Sequence, residues 1–229
     1  MSDARTRILG AVRRSLVRAV LPDAAPAFVP PRQTRLPADT RLHRFTAAVE
    51  ALKGTVRLVA TEAEAAWAVL DIARQHGAVQ FISWDDEALS CPGLLTALAL
   101  SGLQRVAYDV PADPAQRHAT MEQLGLVTLG LTGADAALAD SGALVLVAGP
   151  GRGRLASLLP PVHVAVVPID RVTDSLGALI EDRPGLLDES STVVAICGPS
   201  RTADIEMTLT HGVHGPKHVH VVLMGHTTP

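Results

Sequence analysis

Residues 198–206 (GPSRTADIE) put a glycine, a proline, an arginine and two hydroxyls after a strand-like apolar run. Read as the opening of a helix, Ser200 or Thr202 would cap it, and its free N–H groups and positive dipole end would face an anion. Arg201 would add a charge-assisted hydrogen bond, and Gly198 would let the backbone approach the ligand. Asp204 and Glu206 would lie in the first turns as candidate general bases, although acids there also favour helix formation for purely structural reasons. Further on, residues 211–220 (HGVHGPKHVH) hold four of the nine histidines. His218 and His220 share one strand face, but Gly215 and Pro216 separate them from His214, so no metal site is expected. His214 is better suited to hydrogen bonding or acid–base work, with Gly215 and Lys217 as neighbouring ligand contacts.

Two earlier segments have related chemistry. Residues 139–144 (ADSGAL) place Asp140, Ser141 and Gly142 immediately before a strand, where a glycine can turn backbone N–H groups towards a ligand. On residue types alone, a hairpin-like turn with Asp140 as a local cap has the stronger claim. Residues 149–154 (GPGRGR) join a flexible backbone to Arg152 and Arg154, whose planar forks match a carboxylate or phosphate. A solvated loop would read the same way. Ser83, Asp85, Asp86 and Glu87 also follow a strand, but an acidic solvated loop is the commoner reason for such a run.

The elements that must carry these groups follow from periodicity. Residues 55–60 (TVRLVA) form an expected strand, and Thr61 with Glu64 makes a capping box opening a helix to about His76. Strands are expected at 79–83, 104–108, 126–129, 143–147, 162–167, 193–197 and 219–223, with helices over Leu94–Leu100 and after Pro114. This alternation predicts an α/β fold with an open, largely parallel sheet flanked by helices. Before it, residues 3–20 have apolar positions at helical spacing interleaved with arginines, and a proline-rich linker follows to residue 37. A helix packed on the domain with a solvated arginine face is expected there, and a docking arm is the alternative.

With 229 residues, 48% of them hydrophobic, the chain can bury one large core. A net charge of −3 gives no general attraction to nucleic acid, and no apolar run approaches a membrane span. Two cysteines are too few for an iron–sulfur cluster, and the absence of a signal-peptide pattern makes the cytoplasm the expected compartment. There is no phosphate loop, dinucleotide fingerprint or nucleophile elbow, so no cofactor is expected.

Taken together, ADSGALVL at 139–146, GRGRLASLLPPVHVAVV at 151–167 and GPSRTADIEMTLTHGVHGPKHVHVVLM at 198–224 resemble the LUD-domain family. The resemblance implies a domain over residues 38–229, preceded by the basic helix and linker of 1–37. It also implies a fold similar to the glucosamine-6-phosphate isomerase, ribose-5-phosphate isomerase and CoA-transferase group. The implied role is accessory, in oxidising L-lactate to pyruvate beside iron–sulfur partner proteins, with a small anionic ligand of carboxylate or phosphate type held by the three motifs. Self-association is left open. The alternative is a stand-alone enzyme for a phosphorylated or CoA-linked small molecule, with Arg152, Arg154 and Arg201 clamping the anion. Many family members have Glu-Thr-Gly-Thr where this chain has Asp140, Ser141, Gly142 and Ala143, so a covalent role for the shorter carboxylate is not expected.

Overall fold

Apolar runs bounded by glycine, proline and hydroxyl turns become strands, and amphipathic runs become helices, in a computed structural model that describes residues 2–19, 35–202, 210–211 and 215–225. The chain divides into two units, Met1–Arg32 and Gln33–Pro229. The first contains α1 (Ser2–Arg18), which taken by itself is amphipathic, with Ile8, Leu9, Val12 and Leu16 at helical spacing. The second runs α2 (Ala38–Ala51), β1 (Thr55–Val59), α3 (Glu62–Gln75), β2 (Gln80–Ser83), α4 (Asp86–Leu89), α5 (Leu94–Leu100), β3 (Gln104–Arg105), α6 (Pro114–Leu124) and β4 (Leu129–Thr132). It continues with β5 (Ala136–Leu138), β6 (Ala143–Val147), α7 (Leu155–Leu158), β7 (Val162–Pro168), β8 (Val172–Thr173), α8 (Leu176–Asp182), β9 (Val193–Ile196), β10 (Arg201–Thr202), β11 (Thr210–His211) and β12 (His218–Met224).

Six strands form a wholly parallel sheet in the order β1-β12-β7-β4-β2-β3. Its central strand β7 is buried almost end to end, as a strand covered on both faces must be. Helix α3 lays Ala65, Val69, Ile72 and Ala73 against the core, and α2 adds Phe45 and Val49. The capping box opens α3, with Glu64 N–H donating to Thr61 Oγ1 at 3.2 Å and Glu64 Oε2 accepting from Ala60 N–H at 2.7 Å. Pro114 occupies the first turn of α6, behind an Asp113 cap. Among the described residues, no helix is long and apolar enough to cross a membrane.

A second sheet, β8-β5-β6-β9, packs beside the first. Its β5–β6 hairpin is a shared wall: Ala137, Leu144 and Leu146 face the main core, while Ala136, Leu138, Ala143, Val145 and Val147 face Leu179 and Leu186. This is the alternation of a pleated strand. The sequence reading missed β5 and β8, whose two or three residues are too few to show periodicity.

Three expectations are corrected. The strand expected at 126–129 lies at Leu129–Thr132 and takes in Gly130, where a Cβ would collide with the Ala156 carbonyl of α7. The strand expected at 104–108 pairs only at Gln104–Arg105, and the chain beyond turns away to present Tyr108. Residues 201–202 do not open a helix: Arg201 pairs with His211 and Thr202 with Thr210 as an antiparallel ladder. Ser200 N–H is bonded to the Pro216 carbonyl at 2.8 Å, which ties the backbone there to a distant segment.

Candidate functional site

Open parallel sheets bind ligands where neighbouring strands send their connections to opposite sides. Strand β2 leads to β3 on one side, while its neighbour β4 leads within the sheet to β7 on the other. The resulting crevice lies beyond the carboxyl ends of β2 and β4, at Trp84 and Asp85 and at residues 133–135.

Residues 149–154 close over it and are pinned from below. Asp85 N–H donates to the Gly151 carbonyl at 2.9 Å, and the Trp84 indole N–H to the Gly153 carbonyl at 3.2 Å. Gly153 N–H donates to the Tyr108 hydroxyl at 3.2 Å. Glycine is required at 151, where φ is +69° and a Cβ would fall 2.6 Å from Asp85 Oδ2. At 153 a Cβ would run into the Tyr108 ring.

The two arginines of this loop therefore differ. Arg152 Nη1 is bonded to Asp135 Oδ1 at 2.9 Å, and its guanidinium lies 5.5 Å from the centre of the Trp84 ring. Asp135 is only 6% exposed and also accepts from Val147 N–H at 2.8 Å, so Arg152 serves as the counter-ion of a buried carboxylate. Arg154 is exposed and has no ion pair or hydrogen bond from its guanidinium among the described residues. It borders a cleft of about 470 Å³ with Tyr108 and Leu158.

A neighbouring cleft of about 580 Å³ shares Tyr108, Asp109 and Gly153 with it and is further lined by Asp85, Arg105 and Gly151. Arg105 is already engaged, bonded to Asp85 Oδ1 at 2.7 Å and to the Ser83 and Trp84 carbonyls. Burial pushes the Tyr108 phenol above its ordinary pKa against the opposing pull of Gly153 N–H, so it stays protonated and available for hydrogen bonding at neutral pH. This set of groups can hold a small polar molecule with one anionic end at Arg154.

The other described sequence candidates lie at the opposite, amino end of the parallel sheet. Gly142 and Ala148, at the two ends of β6, are six steps apart, about 20 Å at 3.3 Å each, and Ala148 is the one beside the cleft. Gly142 has φ +66°, and a Cβ there would lie 2.8 Å from Val49 N of α2; one at Gly198 would lie 2.9 Å from Leu52 Cβ. Both glycines let α2 approach closely. The N–H groups of Asp140 and Gly142 are bonded to the Asp174 and Leu138 carbonyls, and Ser141 donates to Asp140 Oδ1 at 2.9 Å. Gly215 sits against Ser200, and Lys217 N–H is bonded to the Pro161 carbonyl. Asp204, Glu206 and His214 lie outside the described residues, as do the side chains of Arg201 and Thr202. Of the sequence candidates, then, Arg152 and Arg154 reach the crevice, while the 139–142, 198–200 and 215–217 groups assemble elsewhere. Tyr108, Arg105 and Asp135 were missed. The one available signal was that Tyr108 is the only tyrosine in the chain.

Residues 42–224 match the LUD domain. A lactate utilization protein C of Exiguobacterium sp. is 37% identical over 215 residues, covering 86% of this chain and 88% of that one. One from Halalkalibacterium halodurans is 35% identical over 156 residues, covering 65% and 64%. The crystal structure of a DUF162 family protein from Deinococcus radiodurans superposes with a TM-score of 0.60 over 83% of this chain and 99% of that one, at 20% identity, which speaks for the fold alone.

Proposed function

Because the chain belongs to the LUD-domain family, we propose that it serves lactate utilisation as a component without redox centres of its own, holding a small carboxylate at the cleft around Tyr108. The names of its relatives support the pathway. Lactate oxidation needs an electron acceptor that ordinary side chains do not provide. Cys91 is buried, with its thiol pushed up to about 11 by burial, and Cys197 is the one other cysteine, so iron–sulfur proteins are the partner class in this reading.

The observation that carries the ligand assignment is Arg154, exposed on the same cleft as Tyr108 and unpaired among the described residues, where its fork can take a carboxylate in a bidentate contact. A melting series with lactate, pyruvate, sugar phosphates and CoA esters tests it. Lactate or pyruvate is expected to raise the midpoint of the native chain and leave Arg154→Ala unmoved. Equal shifts in both proteins would overturn it. The 580 Å³ of the neighbouring cleft exceed what a three-carbon acid fills and favour a second reading, an enzyme for a phosphorylated or CoA-linked molecule. Stabilisation by those ligands alone, with turnover by the isolated chain, would decide for that reading.

A further inference from the structure

The histidines of the carboxyl-terminal segment acquire a partner that is remote in sequence. His218 and His220 alternate on one face of β12, and His76, the residue that ends α3, lies over them. His76 Nε2 and His220 Nε2 are 3.0 Å apart, although 144 residues separate them along the chain. The His218 ring centre is 4.6 Å from that of His76 and 6.4 Å from that of His220. We propose that His76, His218 and His220 form a site for a late first-row divalent metal ion of the zinc class, clipping the end of α3 to β12.

The chemistry is that of neutral imidazoles, which these ions prefer. Zinc–nitrogen bonds of about 2.05 Å let one ion reach both facing nitrogens, and opening the pair to about 3.3 Å gives the tetrahedral angle. His220 Nδ1 is 2.7 Å from Thr55 Oγ1, so its other nitrogen is held for a ligand by a second group, as in built metal sites. Arg57, whose field reaches His220, is paired with Asp71 at 2.6 Å. Among the described residues no three ligating side chains already converge on one point, so closing the set takes a turn of the exposed His218 ring. A fourth position would face water on that side.

The site lies at the amino end of the sheet and does not depend on the ligand reading of the cleft. To test it, the full chain, prepared without a histidine tag and stripped with EDTA, is titrated with zinc chloride at neutral pH by calorimetry. About one equivalent should bind, with affinity falling at least about tenfold in His76→Gln and in His218→Ala. Both side chains reach solvent, so the fold should tolerate these changes, which circular dichroism checks. His118→Ala, on exposed α6, should bind as the native chain does. Absence of zinc binding, or equal binding by all three variants, would overturn the proposal, the latter pointing to histidines such as His211 and His214.

Discussion

Arg152 and Arg154 are two residues apart and of the same type, yet they have different environments, and substitution should separate them. Removing Arg152 leaves the Asp135 carboxylate, 6% exposed, with Val147 N–H and a 4.0 Å contact to Arg183. Arg152→Ala is therefore expected to cost on the order of 2 kcal/mol, seen as a lower urea midpoint. Arg154→Ala should change stability by less than about 0.5 kcal/mol while abolishing growth on lactate in a strain dependent on this chain. Normal growth with Arg154→Ala would remove that residue from the function. Nothing in GPGRGR distinguishes the two, because the distinction is made by Asp135 and Trp84, which reach the loop only through the sheet.

Among the elements, the long strands and most long helices were legible, although α2 was not expected, and the shortest strands were not. Residues 143–147 are a continuous apolar run, residues 162–167 are apolar apart from His163, and Thr61 with Glu64 marks a helix start by side-chain chemistry alone. The site was less legible than the fold. GPSRTADIE has the composition of a helix cap, but Arg201 and Thr202 are claimed by Thr210 and His211, a pairing that local propensity does not encode. Gly130 lies inside β4 because its missing side chain lets α7 pack closely, a tertiary demand that local propensity does not encode either. Gly130→Ala should consequently be among the most damaging of small substitutions. The added methyl meets the backbone of Ala156, which cannot rotate aside, and a loss of about 3 kcal/mol or more is expected by chemical denaturation. A neutral result would mean that α7 stands further off than described.

For the molecule as a whole, acid should be the weak point. His163 is 1% exposed and hydrogen-bonded to Thr132 Oγ1 at 2.8 Å; burial, then the charge of His220, pushes its pKa from 6.5 down to about 4. Between these values the unfolded chain takes up the proton more readily than the folded one. Its contribution to stability is thus complete above about pH 6.5 and is lost as the pH falls towards 4. In EDTA the melting midpoint should be level above neutrality and drop through this window, and His163→Gln should show a shallower drop. A parallel pH profile in the variant would assign the acid sensitivity elsewhere. The β5–β6 wall has a further consequence for how the fold comes apart. On its outer side α8 rests on a cluster limited to a few alanine, valine and leucine side chains around Leu179 and Leu186, while the inner side joins the much larger core of the parallel sheet. The outer layer can therefore detach while the parallel sheet stays intact, a partial opening of lower free energy than global unfolding. In deuterium exchange the amides of Leu179, Arg183 and Leu186 should be labelled well before those of β7, and equal protection would show that both sides of the wall open together.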